Sequence, residues 1–75
     1  MIKVNISNNL KRASEMVERD KTIKETLETY GFDYTTGSWS IDGSPLRAGE
    51  INKTFAEMGV SEKCYLIGVA KTQNA

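Results

Sequence analysis

Residues 20–32 have the sequence DKTIKETLETYGF, and this stretch carries the signals for both ends of one helix. Thr22 and Glu25 have the spacing of a capping box, in which each side chain satisfies a free backbone N–H at a helix start. Gly31 can adopt the left-handed conformation that ends a helix, and Phe32 just beyond it can fold back on the last turn. The stretch therefore predicts one short helix.

The helix has a single apolar stripe, formed by Ile23, Leu27 and Tyr30 at helical spacing. A short helix is not stable in water on its own, so this stripe must be buried against something else. Because the flanking segments resemble strands, we expect the helix to lie across one face of a small sheet.

The residues before the helix predict an antiparallel hairpin. Residues 2–6 alternate apolar and polar, with Ile2, Val4 and Ile6 on one face, and residues 7–9 (Ser-Asn-Asn) favour a turn. The facing of the second arm, within residues 10–18, is left open by the pattern.

Two registers are possible for that arm. A tight two-residue turn would place Leu10, Ser14 and Met16 on the face of the first strand's apolar residues. A bulge would bring in Ala13 and Val17 instead.

After the helix, the pattern predicts a strand with Trp39 and Ile41 on one side. Residues 42–43 (Asp-Gly) form a turn signal, and Pro45 suits an edge strand because it has no N–H to donate to a ladder. Leu46 then returns to the apolar side.

A second capping-box spacing, from Thr54 to Glu57, predicts one or two helical turns pinned by Phe55 and Met58. The apolar run of residues 64–70 follows and is rich in β-branched side chains, so we expect a strand there.

The facing of this last strand is ambiguous from the pattern. The more apolar set is Tyr65, Ile67 and Val69, which we expect to point inward, leaving Leu66 and Gly68 outward. The reverse register would expose Ile67 and Val69. The polar residues 71–75 are expected to be frayed.

Composition limits the class of function. The 75 residues are enough for a single domain, residues 1–75, and ten basic residues balance ten acidic ones, which disfavours binding to nucleic acid or to an anionic membrane. The chain has no histidine, the commonest general base and metal ligand. Cys64, the only cysteine, has no internal disulfide partner and lies in an apolar strand, so we expect a packed thiol in a reducing, cytoplasmic setting. We expect no catalytic site, cofactor or metal.

The order hairpin, helix, strand, edge strand, short helix, strand resembles that of ubiquitin-like β-grasp proteins. Positions with identical or similar residues in that family span nearly the whole chain: Lys11, Val17, Glu18, Thr22, Ile23, Gly43, Leu46, Thr54, Phe55, Glu57, Met58 and Val60. The resemblance implies an α+β fold, with a mixed sheet of four to five strands, one helix across it and a short second helix. It also implies that the last strand lies parallel to the first at the centre of the sheet.

The departures from the family bear on function. Members that act as protein modifiers or sulfur carriers end in Gly-Gly, whereas this chain ends in Thr-Gln-Asn-Ala at residues 72–75. The turn leucine and the central isoleucine of ubiquitin's recognition surface are replaced near Asn8 and by Ser40, so we do not expect ubiquitin receptors to bind it.

The resemblance therefore implies a non-catalytic, monomeric adaptor or accessory subunit that binds another protein through the open sheet face or an edge strand. The candidate face comprises Asn8, Ser40, Leu66 and Gly68. The alternative is a modifier or sulfur carrier whose Gly-Gly tail is missing from the chain; nucleic-acid binding is a third, disfavoured class. Bacterial type VII secretion uses ubiquitin-like accessory proteins without that tail, and by analogy this suggests a bacterial setting.

Overall fold

The structure, a computed structural model, describes residues 1–35 and 37–69. Its elements in chain order are β1 (Ile2–Ser7), β2 (Arg12–Val17), α1 (Ile23–Thr29), β3 (Ser38–Ile41), β4 (Ser44–Pro45), a 3₁₀ helix (Glu50–Asn52) and β5 (Lys63–Val69). The strands form one sheet in the order β2-β1-β5-β3-β4, with β1 and β5 parallel and the other neighbours antiparallel. The predicted mixed α+β β-grasp fold is confirmed.

Both predicted ends of α1 are present. The Thr22 hydroxyl accepts a hydrogen bond from Glu25 N at 3.0 Å, and the Glu25 carboxylate accepts one from Thr22 N at 3.0 Å. At the other end Gly31 has φ +77°, and Phe32 N donates to the Leu27 carbonyl at 2.8 Å. The helix thus ends in a Schellman motif, because the left-handed glycine turns the chain back onto the last turn.

The core lies between α1 and one face of the sheet. Ile23 and Leu27 from the helix are fully buried there, while Tyr30 packs at the border. The buried apolar residues are Ile2, Val4, Ile6, Val17, Ile23, Leu27, Phe32, Trp39, Ile41, Phe55, Val60, Cys64 and Leu66. The single stripe of the helix is therefore buried against residues of β1, β2, β3 and β5 and of the connecting segments, as its shortness requires.

The register of the hairpin is the one that brings Ala13 and Val17 to the core face. A four-residue loop produces it: Asn8 Oδ1 accepts hydrogen bonds from Leu10 N and Lys11 N, both at 2.8 Å. These bonds close an Asx-type turn before the strand begins, so the tight two-residue alternative does not form.

The β3–β4 connection is as predicted. Asp42 and Gly43 have φ +49° and +87° and join paired residues, which is the geometry that a two-residue hairpin needs. Trp39 and Ile41 are buried on one side of β3, and Pro45 lies in the edge strand β4.

The facing predicted for β5 is wrong. Leu66 is fully buried and Gly68 is also buried, whereas Tyr65, Ile67 and Val69 are exposed. The parallel pairing aligns Leu66 with the buried Ile6 of β1, and this register decides the face. Residue 70 and the tail predicted to be frayed lie outside the described residues.

Gly68 explains why the less apolar set of β5 is the buried one. It lies directly opposite Trp39, and a Cβ built on it would be 2.6 Å from the indole ring. The indole therefore occupies the space that a side chain at residue 68 would need, and Trp39 covers this part of the strand.

The second capping signal forms a single turn. Thr54 and Glu57 exchange side-chain to backbone hydrogen bonds of 3.0 and 2.8 Å, and Phe55 is fully buried. The short second helix of the fold is the 3₁₀ helix just before it. A bridge between Thr22 and Thr54 ties this turn to the start of α1.

We expect Gly68→Ala to lower the free energy of unfolding by about 1–3 kcal/mol, because the added methyl group overlaps the Trp39 ring. Urea denaturation followed by tryptophan fluorescence measures this. Ser38→Ala, at an exposed position of β3, is the control and should change stability by less than about 0.5 kcal/mol. Equal stability of the two variants would contradict the packing described for Trp39.

We expect Thr22→Ala to cost about 1 kcal/mol at neutral pH, because it removes the N-cap acceptor of α1. The Thr22 backbone N–H and, second to it, the Thr22 hydroxyl donate hydrogen bonds to the Glu25 carboxylate and lower its pKa. Thr22→Ala removes the contribution of the hydroxyl, which is present above the ordinary carboxyl pKa and is lost as the pH falls through the lowered value. The destabilisation measured by urea titration should therefore shrink on acidification. Thr29→Ala, in the last turn, should show no such pH dependence.

Candidate protein-binding surface

The four residues predicted to form a binding face are not together on it. Ser40 lies half-buried on the open side of the sheet, the side opposite α1, and Asn8 lies in the β1–β2 loop. Leu66 and Gly68 face the core, so they contribute nothing to an outer surface. The prediction that these two point outward is therefore wrong.

Three neighbouring side chains of β5 take their place on the open side. The exposed fractions of Tyr65, Ile67 and Val69 are 47%, 39% and 57%. Because side chains at alternate positions of a strand share a face, the three form one apolar row along the central part of the sheet. These three residues could have been predicted by aligning β5 in parallel with β1, whose buried and exposed positions alternate clearly in the sequence.

Leu10 lies near the Val69 end of this row, beyond the sheet. It is 91% exposed in the β1–β2 loop, and it lines a small depression at the end of the sheet together with Asn8, Asn9, Asp33, Trp39, Gly68 and Val69. We name Leu10, Tyr65, Ile67 and Val69 the apolar row. It runs from the hairpin loop along β5.

Polar groups border the apolar row on its β1–β2 side. Ser14 Oγ donates to Asn5 Oδ1 at 2.6 Å, and Asn5 Nδ2 donates to the Cys64 carbonyl at 3.4 Å. With Tyr65 and Ile67 these two side chains line a shallow depression on the open face. On the opposite side Ser40 Oγ is 3.5 Å from the Ile67 carbonyl, which it approaches as a donor. The surface thus has an apolar centre and a hydrogen-bonding rim, which is the composition of a protein interface.

A second groove lies between β2 and α1 at the opposite edge. Its walls include Met16, Glu25, Glu28 and Tyr30. Its walls carry both charged and apolar groups, and they include no cysteine or histidine.

Cys64, the only thiol, is placed where it cannot act as a nucleophile. Its side chain is fully buried, and burial, with a smaller effect of the Asp42 carboxylate, raises its pKa to about 11. A thiol with a raised pKa carries almost no thiolate at neutral pH. Cys64 is therefore a packing residue of the core, as predicted.

The described residues contain no group of three or more His, Cys, Asp or Glu side chains that could hold a metal ion. Within residues 1–35 and 37–69, no helix is long and apolar enough to cross a membrane.

Solved structures with the same architecture are ubiquitin-like domains. The ubiquitin-like domain of an Arabidopsis thaliana protein superposes with a TM-score of 0.71 at 19% identity, over 99% of this chain and 81% of that chain. Caldiarchaeum subterraneum ubiquitin gives 0.67 at 14% identity, over 99% and 98% of the two chains. The C-terminal ubiquitin-like domain of mouse tubulin-specific chaperone e gives 0.66 at 7% identity, over 99% and 90%.

No protein-family model matches the sequence, and no curated protein matches it significantly. The likeness in structure covers almost the whole chain, whereas the identities are too low to carry a function across. The element order, the central parallel pair and the superpositions agree, and the chain has the ubiquitin-like β-grasp fold.

Proposed function

We propose that this protein is a non-catalytic binding module that attaches to another protein through the open face of its sheet. The observation that carries the proposal is the apolar row: Tyr65, Ile67 and Val69 lie exposed at alternate positions of β5, and Leu10 lies near their Val69 end. Adjacent exposed apolar side chains of this size are characteristic of interaction sites, whereas single ones are ordinary.

The energetic argument supports a protein partner. Covering an apolar side chain releases roughly 25 cal/mol per Å² of surface removed from water, and aromatic residues dominate such interfaces. Tyr65 offers both an apolar ring and a hydroxyl, and Ile67 beside it is held rigidly by a central strand with neighbours on both sides. A rigid surface loses little entropy on binding, which favours recognition of a partner.

The module would act as an adaptor or accessory subunit in the cytoplasm of a bacterium, without bond chemistry and without conjugation through its C-terminus. The buried, unreactive Cys64 and the absence of histidine from the sequence support the non-catalytic part. The ubiquitin-like fold also occurs as a domain within other proteins, such as the mouse chaperone, and this supports a modular role. Intact-mass analysis of the cellular protein tests the proposal that it is not conjugated through its C-terminus. A C-terminal isopeptide or thiocarboxylate would overturn that proposal.

The test of the binding face uses the double variant Tyr65→Ser/Ile67→Ser as bait in lysate of the source organism. We expect a partner captured by the wild-type protein to be lost from this variant, because the centre of the interface no longer excludes water. Quantitative mass spectrometry of the captured proteins, followed by titration of the purified partner, measures the loss.

The matched control is Ala48→Ser/Ala56→Ser, at two exposed positions off the sheet. It should capture the partner as the wild-type protein does. Circular dichroism must show both variants folded. If the folded Tyr65→Ser/Ile67→Ser variant still captures the partner, the open face is not the binding surface.

A non-catalytic, buried Cys64 should react slowly with alkylating reagents. At about pH 8, a thiol whose pKa is raised from 9.0 to about 11 has roughly a hundredfold less thiolate than an unperturbed one, and burial limits access further. Iodoacetamide labelling followed by mass spectrometry should therefore be at least about a hundredfold slower in the native protein than in urea. A native rate close to the unfolded one would show a reactive thiol.

A further inference from the structure

The charges of the sheet are distributed unevenly between its two faces. The five strands contain three basic residues, Lys3, Arg12 and Lys63, and one acidic residue, Glu15. The basic three alternate with buried residues and lie exposed on the open face, whereas Glu15 shares the core face with its cross-strand partner Val4. The strand residues of the open face therefore carry positive charge only, although the whole chain has zero net charge. Outside the strands, the Asp42 carboxylate of the β3–β4 turn accepts a hydrogen bond from Tyr65 N at 2.9 Å.

Two of the cations lie at one end of the apolar row, and the third lies beside its middle. Lys3 and Lys63 are neighbours in the parallel β1–β5 pair, at the start of β5. Arg12 lies to the side of the row, level with Ile67, because it pairs with Ser7, which pairs in turn with Ile67. From Lys63 to Ile67 the distance is about 13 Å along the strand, and Arg12 lies about 10 Å to the side of Ile67, two strand spacings away.

None of these cations is neutralised within the described part of the chain. Lys3, Arg12 and Lys63 form no side-chain hydrogen bond or ion pair with residues 1–35 or 37–69. Other cations do have such contacts: Lys11 Nζ donates to the Tyr30 carbonyl at 3.0 Å, and Arg19 Nε donates to the Val60 carbonyl at 2.8 Å. The charges of the open face are thus free to pair with an incoming molecule.

We propose that the open face binds a protein segment that combines carboxylate side chains with an aliphatic or aromatic centre. This inference rests on the proposed function and specifies the chemistry of the partner. Apolar side chains of the segment cover Tyr65, Ile67 and Val69, while its carboxylates reach the Lys3–Lys63 pair at one end of the row and Arg12 at its side. Complementary charges at the rim accelerate association and fix the orientation, whereas the apolar centre supplies most of the affinity.

The same observations disfavour a nucleic acid and a second copy of this chain as ligands of the open face. A nucleic acid would need a denser row of cations and several aromatic rings for base stacking, and Tyr65 is the only aromatic residue in the outward set of β5. A second copy docked face to face would bring Lys3, Arg12 and Lys63 of both copies into one interface. Like charges in a desolvated interface repel, so the face is unsuited to pairing with itself.

The experiment selects ligands without assuming a partner. A phage library of random peptides of about 12 residues, long enough to span the face when extended, is panned on the immobilised wild-type protein. We expect the enriched peptides to combine net negative charge with aliphatic or aromatic residues. Their affinity, measured by fluorescence anisotropy, should fall at least about tenfold when the salt rises from about 0.05 to 0.5 M.

The decisive variant is Lys3→Glu/Arg12→Glu/Lys63→Glu, which should lose at least about tenfold in affinity for the selected peptides. The matched control is Lys21→Glu/Arg47→Glu/Lys53→Glu, which changes the net charge equally at exposed positions outside the strands and should stay within about twofold. If the first triple does not fold, replacement of the same residues by glutamine gives the test with a smaller perturbation.

Several outcomes overturn this proposal. The first is enrichment of peptides without acidic residues. The second is an equal loss of peptide affinity in the two triple variants. The third is binding of an oligouridylate of about 20 nucleotides that the Lys3→Glu/Arg12→Glu/Lys63→Glu variant abolishes. A dimer in sedimentation equilibrium that Ile67→Ser dissociates would also overturn it. If Tyr65→Ser/Ile67→Ser abolishes peptide binding and the charge reversal leaves it unchanged, binding through the open face is supported and only the proposal of an acidic partner is rejected. If neither changes binding, both fail.

Discussion

The parallel pairing of β1 with β5 is the interaction on which the rest of the structure depends. It joins the first and last strands of the described residues at the centre of the sheet, so every other element is placed relative to this pair. The pair contributes Ile2, Val4, Ile6, Cys64 and Leu66 to the core, all almost fully buried beneath α1. Because the ends of the chain must meet before this pair forms, the fold is stable only as a whole.

The same strand that completes the core also presents the proposed binding surface. Leu66 and Gly68 point to the helix side, so Tyr65, Ile67 and Val69 necessarily point away from it. The Trp39 ring packed against Gly68 makes this choice of face hard to reverse, since any side chain at residue 68 would collide with the indole. Core packing and surface chemistry are therefore coupled through one strand.

Overall neutrality conceals a local separation of charge. The cations of the strands lie on the open face, whereas acidic residues such as Glu25 and Glu28 lie on α1 at the other side of the sheet. Glu25 is used internally, at the helix cap, and Glu28 accepts a hydrogen bond from the Tyr34 hydroxyl. The net charge of a chain predicts its long-range behaviour, but the charge of one face depends on strand register, which the composition does not contain.

Local signals in the sequence determined α1, both caps, the β3–β4 turn and the alternation of β1, because each depends on side chains a few residues apart. The burial of Trp39 and Ile41 also followed from alternation alone. Only the tertiary structure decided the register of β2 and the facing of β5: the first depends on the four-residue loop held by Asn8, the second on alignment with β1 about 60 residues earlier in the chain. The binding surface lies on β5, and so a correct fold prediction still placed Leu66 and Gly68 on the wrong side, since a shift of one residue exchanges the two faces of a strand.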